Sequence, residues 1–550
     1  MVGDNFQVLV IGAGPTGLTM ANILGMYGIR TLLVERNAAT VAEPRAVSID
    51  DESLRTMQFI GLIDTVRKSI VEGYGSHYFS PSGRCFTKVL PDIVEYGYVR
   101  RSAFRQPVLE AQLREGLGRF AHVETRFSTR VTMLEETGGE VRATLVGPDG
   151  AEDTVSAEYV AACDGGRSAT REALGIQMVG SSYDQGWLII DLAGSSQRFR
   201  HTQVFCDPAR PGLSLPGPDG TKRYEFMMLP GEKPEELLDE ANVRKLLARH
   251  SEEDPNLQIV RKVIYHFHAR IAERWRSGRI FLAGDAAHLT PPFAGQGMNS
   301  GVRDAQNLGW KLAVYLRGEL GSKALDSFEI ERRPHAWALI QLAVNMGRIM
   351  MPRSRPMAFY IRLAFRALAL YPPARDYVLQ MKYKPKPFFQ DGLLIGEAGP
   401  SLRGRMFPQP MVERRDGSKI LLDELLGAGL ALVERDDGRS ALSPPGERRP
   451  MDVAIVRVMP RDHRFLPGQA QNPECVRDLT GVIGEAFAKA GVRGVLLRPD
   501  RYVAAALPDA SGPEELDNLV AGLVTQSKPG SADAPVPQRL DLARAEATMS

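Results

Sequence analysis

The sequence predicts an α/β protein with an inserted α+β sheet domain and a separate α/β domain towards the C-terminus. Residues 7 to 35 read as strand, tight turn, helix and strand, which is a βαβ unit. Between about residues 186 and 268 this alternation gives way to short β-rich runs separated by proline and glycine turns. A new alternation begins beyond about residue 395. A chain of 550 residues is too long for one ordinary core, so two or three packed units are expected.

These changes in pattern divide the chain into five segments. The first domain is expected to be discontinuous, because strand and helix signals return after the β-rich runs. The last segment is rich in serine, proline, alanine and charge and lacks apolar periodicity, which predicts a disordered tail. The expected bounds are 1–180 for the first part of the first domain, of which about 75–105 contributes to the sheet domain, 181–270 for the inserted β-sheet domain, 271–390 for the second part of the first domain and a helical connector, 395–526 for the C-terminal domain, and 527–550 for the tail.

Composition excludes several classes of function. The 68 basic residues are matched by 66 acidic ones, and no long Lys/Arg stripe appears, so no nucleic-acid partner is expected. The four cysteines lie far apart with no CxxC pair, which argues against a disulfide framework and against a zinc site. No metal site is predicted. These cysteines are Cys85, Cys163, Cys206 and Cys475.

No membrane span is expected. The most apolar long stretch, Met357 to Leu370, is interrupted by Arg362 and Arg366, and it is shorter than the roughly 20 residues that cross a bilayer. We interpret it as a packed amphipathic helix, with a membrane-surface helix or a dimer-contact helix as alternatives. The chain enters an apolar strand soon after its start and shows no small-residue cleavage site, so a cytoplasmic location is expected.

The strongest local motif is the run Gly12-Ala13-Gly14-Pro15-Thr16-Gly17, which follows an apolar strand and opens a helix. In such a loop the first glycine permits the tight turn, the second lets the backbone approach a pyrophosphate, and Gly17 allows close helix packing. The phosphates then lie at the helix N-terminus. Glu35 follows 21 residues after Gly14 and can accept hydrogen bonds from ribose hydroxyls, with Arg36 beside it. The alternative is an ordinary βα turn with a surface glutamate.

A second motif lies far along the chain. Residues 279–288 form an apolar strand that runs into a small-residue turn carrying Asp285. Pro292 and the run Gly295-Gln296-Gly297-Met298-Asn299 follow and open another helix. Its amino end offers free N–H groups and positive potential, suited to the N1/O2 edge of an isoalloxazine that becomes anionic on reduction. Two such sites in one chain favour FAD over a simple nucleotide.

A middle motif, Cys163-Asp164-Gly165-Gly166-Arg167-Ser168 with Arg171 beyond it, completes a recognisable order. In that order the three motifs resemble those of the single-component FAD-dependent aromatic hydroxylases with the p-hydroxybenzoate hydroxylase fold. The resemblance implies a Rossmann-like FAD-binding domain as the first domain. It places Asp164 near FAD and the path of NAD(P)H, Asp285 on the ribityl or ribose region, and Pro292 beside the flavin. It also matches Arg45 to an arginine that touches the flavin or its phosphates, and Gln106 to a glutamine that contacts FAD.

Further segments resemble one subgroup of that family, the 3-(3-hydroxyphenyl)propionate hydroxylases. They are Ile49 to Gln58, Cys206 to Pro211 and Arg223 to Glu232. Arg498 to Ala504 resembles the end of the thioredoxin-like domain of larger family members. That domain has no CxxC pair here, so disulfide chemistry is not expected and packing or dimerisation is the expected role. The sequence therefore leaves undecided whether the protein forms a homodimer.

The resemblance implies a reaction. NADH or NADPH reduces FAD, O2 adds to form a flavin C4a-hydroperoxide, and one oxygen is transferred to the ring of a phenol. The implied substrate is 3-(3-hydroxyphenyl)propionate or 3-hydroxycinnamate, and the product is its 2,3-dihydroxy catechol. The chain has only one dinucleotide loop, so NAD(P)H is expected to visit a cleft transiently. A hydroxylase of a polycyclic phenol or an antibiotic, and a flavin-binding scaffold or sensor, are the alternatives.

The residues that handle the substrate are less evident. A buried substrate carboxylate needs a cationic or hydrogen-bond-donating partner, and Arg210, Arg223 and Tyr224 in the inserted sheet are candidates. His288 follows the Gly-Asp motif and is a candidate near the flavin. Solvated strand ends, core packing and a structural loop are the alternative roles. With Arg45 and Pro292 these residues form the candidate catalytic set, and no catalytic base is assigned.

Overall fold

The computed structural model describes residues 5–40, 46–197, 201–396, 402–436, 453–462, 475–512, 514–528 and 538–542. The strands, numbered in chain order, are β1 (Asn5–Ile11), β2 (Thr31–Val34), β3 (Ser48–Asp50), β4 (Val71–Glu72), β5 (Gly75–Phe79), β6 (Cys85–Val89), β7 (Arg101–Ala103), β8 (Val123–Arg126), β9 (Arg130–Thr137), β10 (Glu140–Val146), β11 (Glu152–Ala162), β12 (Met178–Ala193), β13 (His201–Phe205), β14 (Gly212–Pro216), β15 (Lys222–Met227), β16 (Gln258–Ala272), β17 (Arg276–Ser277), β18 (Ile280–Leu282), β19 (His288–Leu289), β20 (Met411–Glu413), β21 (Lys419–Leu421), β22 (Leu430–Arg435), β23 (Val453–Met459), β24 (Cys475–Asp478), β25 (Val492–Leu497), β26 (Val503–Pro508) and β27 (Gln538–Asp541). The helices are α1 (Pro15–Met26), α2 (Asp51–Phe59), α3 (Ile63–Arg67), α4 (Gln106–Leu117), α5 (Ala169–Ala173), α6 (Pro234–Leu237), α7 (Glu240–Leu247), α8 (Gly297–Leu316), α9 (Lys323–Met350), α10 (Arg355–Leu370), α11 (Pro372–Leu379), α12 (Val482–Ala490) and α13 (Glu515–Gln526).

The first sheet has the strand order β27-β9-β10-β11-β1-β2-β8, and β18 pairs with β11. Five strands of this sheet pair in parallel, in the order β18, β11, β1, β2 and β8. The register places Ile11 opposite Ala162, and Ala162 opposite Leu282, so these three strands end at the same edge. The glycine turn, the middle motif and the Gly-Asp motif each follow one of these strand ends. The parallel register therefore brings three motifs, far apart in sequence, to one edge of the sheet.

The second sheet has the order β19-β16-β12-β15-β14-β13-β5-β6. Its two longest strands, β12 and β16, pair antiparallel. Strands β5 and β6, from residues 75–89, join it through a parallel pairing of β5 with β13. A third, small sheet has the order β3-β7-β4. Its central strand β7 pairs with both β3 and β4, so residues on β7 are held from two sides. The chain then enters α4.

The C-terminal domain has a seven-stranded mixed sheet of order β21-β20-β24-β23-β22-β25-β26. Strands β22, β23 and β24 are parallel, and β25 and β26 are antiparallel and followed by α13. The domain does not stand apart from the first one. Trp310 and Val314 of α8 pack in one apolar cluster with Leu432, Leu496 and Ala504 of this sheet.

Part of the segment predicted to be a disordered tail forms structure. Gln538–Asp541 is strand β27, which pairs antiparallel with β9 at the edge of the first sheet. Leu540 and Leu542 are buried there, at 6% and 2% exposure. The rest of 529–550 lies outside the described residues. A short strand of low local propensity is stabilised by the edge it joins, and that tertiary contact leaves no periodic signal in the sequence.

The stretch Met357 to Leu370 lies within one helix, α10, as predicted, and Pro372 begins the next helix, α11, after Tyr371. The expectation that this helix is packed is wrong for most of its length. Only Ala358 of α10 is buried, and Phe359, Tyr360 and Leu370 are 53%, 66% and 86% exposed. Within the described ranges, no helix has both the length and the apolar character needed to cross a membrane.

Candidate active site

The glycine-rich turn lies between the end of β1 and Pro15, where α1 begins. Gly12 has a φ of +101°, and a Cβ at this position would lie 2.5 Å from the carbonyl oxygen of Cys163. A Cβ on Gly17 would lie 1.9 Å from the carbonyl oxygen of Gly12. Gly14 differs, because a Cβ there would meet no protein atom within 4 Å. Two of the glycines therefore let the turn close, and Gly14 faces open space.

The amino end of α1 is open to an anion. Its cap residue Gly14 supplies no side chain, and the first turn contains no acidic residue. The first N–H groups of a helix have no partner within the helix, and the helix dipole adds positive potential at this end. Thr16 packs closely on the Gly-Asp motif and on α8, since a Cβ on Gly284 or on Gly301 would lie 2.4 or 2.2 Å from its hydroxyl oxygen. The turn therefore offers the rigid donors that a pyrophosphate needs.

A cavity of about 160 Å³ adjoins the turn beside β2. Glu35 lines this cavity, and its Oε2 accepts a hydrogen bond from the backbone N–H of Ala13 at 2.8 Å. Its Oε1 accepts one from the N–H of Asn37 at 2.9 Å. A carboxylate at this position can also accept hydrogen bonds from a ribose. Other lining residues are Gly12, Gly14, Arg36, Arg130, Asp164, Gly165, Arg167 and Leu542.

A second cavity, of about 320 Å³, adjoins the first. Gly14, Glu110, Cys163 and Gly165 line both cavities. From the glycine turn the second cavity extends past Gln106 and into the second sheet. The two together form an elongated space that begins beside β2 and ends among apolar side chains. This is the shape that a dinucleotide cofactor followed by a small substrate requires.

The Gly-Asp motif forms one wall of the larger cavity, and exposed Asp285 lines it. His288 does not line it, because it is fully buried and its Nε2 lies 2.7 Å from Oδ2 of Asp304. Asp304 also accepts hydrogen bonds from Gly284 N–H at 3.0 Å and from Arg332 Nε at 2.9 Å. Burial opposes the ionisation of Asp304, but His288 and Arg332 outweigh it and hold the pKa of Asp304 below its usual range. His288 therefore supports the turn from behind.

The predicted glycine loop before α8 reaches the cavity, but its asparagine does not. Gly295, Gly297 and Met298 line the cavity, and Gly295 has a φ of +62°. Asn299 is 1% exposed and accepts hydrogen bonds from Asp50 N–H and from the Ser53 hydroxyl. It also donates to the carbonyl of Gly295 at 2.8 Å. Its side chain therefore shapes the loop, while α8 begins with no capping side chain and no acidic residue in its first turn.

The middle motif is tied to the Gly-Asp motif. Arg171 donates to the carbonyl oxygens of Ala286 and Gly166, each at 3.0 Å. Asp164 lines the smaller cavity, and its Oδ2 accepts a hydrogen bond from Thr170 N–H at 3.1 Å. This arrangement joins two loops that each border the cofactor-sized space.

Gln106 lies at the start of α4 and lines the larger cavity. Its Oε1 accepts a hydrogen bond from Ala46 N–H at 2.7 Å, and its Nε2 donates to Glu110 at 2.8 Å. The glutamine thus orients the segment that precedes β3. Arg45, which the resemblance matches to an arginine that touches the flavin or its phosphates, lies outside the described residues. Pro292 lines the cavity next to Phe293.

The far end of the larger cavity is the second sheet. Its apolar walls include Val204, Leu213 and Leu215, and Phe293 packs edge-on against Trp187 and Phe267 with ring centroids 5.6 Å apart in each case. Such a wall fits an aromatic ring and keeps water out.

Of the three predicted substrate residues in the inserted sheet, the structure brings only Arg223 to the cavity. Successive strand residues point to opposite faces, so Arg223 and Glu225 line the cavity and Tyr224 does not. Tyr224 packs with the helices behind the sheet and donates to Asp254 at 2.6 Å. Arg210 lies away from the cavity wall and forms a bidentate pair with Glu232. The predictions that Tyr224 and Arg210 contact the substrate are therefore wrong. Strand alternation turns Tyr224 away from the cavity, and the ion pair with Glu232 holds Arg210 elsewhere.

Arg223 is itself paired. Its Nε and Nη2 donate to Asp191 at 2.6 and 3.1 Å. Glu225 lies beside it, with a carboxylate oxygen 4.0 Å from Nη1 of Arg223. Burial raises the pKa of Glu225 to about 7. The negative charge of Asp191 adds to this rise, and the positive charge of Arg223 opposes it. The cavity therefore contains a carboxyl group that changes charge near neutral pH, which the sequence did not indicate.

A buried ionic cluster supports the loop around Asn299 and was also not predicted. Arg303 pairs with Asp50 and donates to Glu52 at 2.6 Å, and Lys384 donates to the same two residues at 2.9 and 2.7 Å. Burial raises the pKa of the adjacent Asp51 to about 7. The three acidic side chains have oxygens within 4.8 Å of one another. The acidic triplet was visible in sequence, but its cationic partners lie about 250 and 330 residues away, where no local pattern points to them.

The residues present fit FAD. Two helices, α1 and α8, begin at the larger cavity without capping side chains or first-turn acids, which suits one end to a pyrophosphate and the other to an anionic flavin edge. Gly14 leaves free the space that a pyrophosphate would approach. Glu35 lies where an adenosine ribose would be held.

Two family models match the chain. One is described as FAD binding domain and matches residues 5–343. The other is described as HcaD C-terminal domain and matches residues 404–522.

Curated relatives match over nearly the full length. A 3-(3-hydroxy-phenyl)propionate/3-hydroxycinnamic acid hydroxylase of Klebsiella pneumoniae subsp. pneumoniae is 39% identical over 519 residues, covering 92% of this chain and 93% of the relative. The protein of the same name from Escherichia coli is 37% identical over 538 residues, covering 96% of each.

Solved structures share the fold over the whole chain. The flavin-dependent monooxygenase PieE, solved with FAD and substrate, aligns with a TM-score of 0.77 at 21% identity, covering 95% of this chain and 99% of PieE. Aklavinone-11 hydroxylase, solved with FAD and aklavinone, aligns with a TM-score of 0.75 at 24% identity, covering 96% and 100%. With its two matched domains, its FAD-shaped cavity and its full-length relatives, this chain belongs to the family of FAD-dependent aromatic hydroxylases, which are monooxygenases.

Proposed function

We propose that this chain hydroxylates 3-(3-hydroxyphenyl)propionate or 3-hydroxycinnamate to the corresponding 2,3-dihydroxy catechol. The reaction consumes O2, NADH or NADPH and one proton, places one oxygen atom on the ring, and releases the other as water together with the oxidised nicotinamide. The observation that carries this proposal is the elongated space formed by the two adjoining cavities, which joins the glycine turn to an apolar pocket with cationic side chains in its wall. The names of the relatives at 37–39% identity support the choice of substrate.

We assign the parts of FAD to residues as follows. Gly12, Gly14, Pro15, Thr16 and Gly17 would hold the pyrophosphate, and Glu35 and Arg36 the adenosine. Asp285 would contact the ribityl chain, and Gln106, Pro292, Gly295, Gly297 and Met298 would border the flavin. Asp164 would lie near the nicotinamide path. When bound, FAD supplies the oxygen-transfer chemistry.

The chain itself orients the phenol and excludes water. The rings of Phe267 and Phe293 line the apolar wall, and Trp187 packs against both of them. Tyr78 and Tyr383 also line the cavity, and burial raises the pKa of Tyr383 to about 12 and that of Tyr78 well above its ordinary value. Both therefore stay neutral and act as hydrogen-bond donors. The chain carries only one dinucleotide loop, which supports a transient visit by NAD(P)H.

We also propose the cytoplasm as the compartment of the enzyme. The four cysteines are free, as expected for a reducing compartment, and NAD(P)H is supplied there. Homodimerisation stays a prediction, which light scattering of the purified holoenzyme would test.

Anaerobic stopped-flow reduction with a panel of substrates tests the proposed function. We expect 3-(3-hydroxyphenyl)propionate to accelerate FAD reduction by NAD(P)H severalfold, and aerobic turnover to add one oxygen, seen by mass spectrometry. 3-Phenylpropionate, which lacks the phenol hydroxyl, is the matched control and should give no catechol. A flat response to every hydroxyphenyl acid contradicts this substrate and favours a larger phenol. NAD(P)H oxidation that never yields a hydroxylated product favours a scaffold or sensor.

Binding of the acid substrate should weaken as the pH rises through about 7. Glu225 is neutral below its pKa of about 7 and ionised above it, so at higher pH it adds a negative charge to the wall that faces an anionic ligand. We expect the Kd of 3-(3-hydroxyphenyl)propionate, measured by flavin absorbance, to rise several-fold between about pH 6 and about pH 8. Glu225→Gln should remove this dependence. An unchanged pH profile in Glu225→Gln would show that another group causes it.

A further inference from the structure

Four cationic side chains line the larger cavity, and they differ in how their charge is balanced. They are Arg101, Arg223, Arg261 and Lys384. Lys384 pairs with Asp50 and Glu52. Arg223 forms a bidentate pair with Asp191, and Arg261 lies 3.9 Å from the same carboxylate. Arg101 alone of the four has no carboxylate within 4.0 Å among the residues that the structure describes.

The partners of Arg101 are neutral. Its Nη1 donates to the hydroxyl of Ser76 at 2.7 Å, and its guanidinium lies over the ring of Tyr74 at 5.4 Å from the centroid. Its Nε is buried and makes no hydrogen bond with the described residues. Arg101 as a whole is half-buried, but a buried donor without a partner, such as its Nε, is costly unless an acceptor joins it. The cavity wall at this place is therefore prepared for an anionic group.

The side chains around Arg101 reinforce this character. Ser76 and Thr202 contribute hydroxyl groups to the same cavity, on the neighbouring strands β5 and β13. Tyr78 and Tyr383 also line it, and the positive charge of Arg101 acts on both phenols against the larger effect of burial. Ser76, Tyr78 and Tyr383 can donate hydrogen bonds, Thr202 donates to the Tyr74 hydroxyl at 3.3 Å, and none of the four carries a negative charge at neutral pH. A carboxylate, with two oxygens that only accept, matches such a set of donors.

The position of Arg101 is fixed by the fold. Strand β7 is paired on both sides: its residue Ala103 lies opposite Ser48 of β3 and opposite Val71 of β4. The Tyr74 N–H donates to the carbonyl of Arg101 at 3.0 Å. A guanidinium carried on a paired strand is held in place before a ligand arrives, which reduces the entropy lost on binding.

We propose that Arg101 is the anchor for the carboxylate of the substrate, with the hydroxyls of the surrounding wall as further donors. This inference rests on the proposed function, since it concerns how that phenolic acid is held. It also assigns a different role to Arg223, one of the three substrate candidates that the sequence offered in the inserted sheet. Arg223 is neutralised by Asp191 and bounds the pocket next to Glu225, while Arg101 supplies the uncompensated positive charge.

The test compares one acid with its neutral analogue in the holoenzyme. The ligands are 3-(3-hydroxyphenyl)propionate and 3-(3-hydroxyphenyl)propan-1-ol, and Kd is measured from the flavin spectrum. Arg101→Met should raise the Kd of the acid at least about 30-fold and change that of the alcohol by less than about threefold. Arg105→Met is the matched control, because Arg105 lies on the same segment but is 40% exposed and pairs with Asp219. It should leave both values unchanged.

Arg101→Lys keeps the charge and gives a second measurement if the methionine variant retains too little FAD. Lysine cannot form the paired donor geometry, so the Kd of the acid should rise by a smaller factor while that of the alcohol stays constant. Equal losses for acid and alcohol, or wild-type affinity of Arg101→Met for the acid, would overturn the anchor. If the wild-type enzyme hydroxylates the acid and only these variant results fail, the proposed function stands. If the wild-type enzyme neither binds nor hydroxylates the acid, the proposed function fails first.

Discussion

Replacing Gly14 by alanine is expected to weaken FAD binding by about 10- to 100-fold while the apoprotein keeps its stability. A Cβ on Gly14 meets no protein atom within 4 Å, and the backbone there is extended with φ −77°, so alanine fits the protein alone. The same Cβ occupies the space through which a pyrophosphate approaches the turn. Fluorescence titration of apoprotein with FAD measures the affinity, and thermal unfolding of the apoprotein measures the stability.

Two other glycines serve as comparisons. Gly139→Ala, in the hairpin between β9 and β10, also meets no atom within 4 Å and should bind FAD as the wild-type protein does. Gly17→Ala should instead damage the fold, because its Cβ would lie 1.9 Å from the carbonyl oxygen of Gly12. If Gly14→Ala lowers apoprotein stability as much as Gly17→Ala does, the pyrophosphate is not the reason that Gly14 is needed.

Replacing Arg498 by methionine is expected to lower the free energy of unfolding by about 3–5 kcal/mol. Arg498 is fully buried and donates two hydrogen bonds to Glu331, at 2.6 and 2.8 Å, and two to Asp500, at 3.0 and 2.6 Å. Lys311 donates to Glu331 at 2.6 Å. Without Arg498 the buried carboxylates of Glu331 and Asp500 lose their main cationic partner. Glu331 lies on α9 and Arg498 follows β25 of the C-terminal domain, so the loss falls at the contact between the two domains. Urea unfolding followed by tryptophan fluorescence measures this loss, and Trp310, whose ring lies 5.4 Å from the Arg498 guanidinium, contributes to the signal at this contact.

The same network sets a pH dependence. Burial alone would raise the pKa of Glu331, but Arg498 and Lys311 lower it to about 2. The ionised group therefore stabilises the fold above the unfolded-state pKa of about 4.5, and this contribution is lost as the pH falls towards about 2. The difference in the free energy of unfolding between wild type and Arg498→Met should shrink over that range.

Arg435→Met is the control, because it removes a partly exposed pair with Asp509, and it should lower the free energy of unfolding by about 1 kcal/mol or less. An equal loss in both variants would mean that the buried network contributes no special stability.

The cofactor motifs could be predicted from sequence because each is local. Strand, glycine turn and helix occupy consecutive residues, and the conformations that Gly12 and Gly295 need leave a direct trace in residue type. The order of the three motifs then indicated the family, and the parallel register of β1, β11 and β18 explains why they meet. Glu35 could be placed for the same reason, since it ends the strand that follows the turn.

The substrate residues could not be predicted in this way, because their roles depend on neighbours that are distant in the chain. Arg210 and Arg223 are chemically alike in sequence, yet one pairs with Glu232 away from the cavity and the other with Asp191 in its wall. His288 adjoins the Gly-Asp motif in sequence but points into the core towards Asp304. Strand alternation turned Tyr224 away from the cavity, and its register was not known in advance.

The sequence by itself determined the α/β order of the first domain and its glycine turn, because both depend on adjacent residues. The resemblance of its three motifs to those of the aromatic hydroxylases then indicated the family. Only the tertiary structure decided which charges in the substrate cavity are already balanced. Glu225, Arg223 and Asp191 form one compensated group, while Arg101 contacts a hydroxyl and a ring and has no carboxylate partner in the described part of the chain. The balance of a buried charge is the sum over all groups packed around it, and packing brings those groups together from strands that are far apart in sequence.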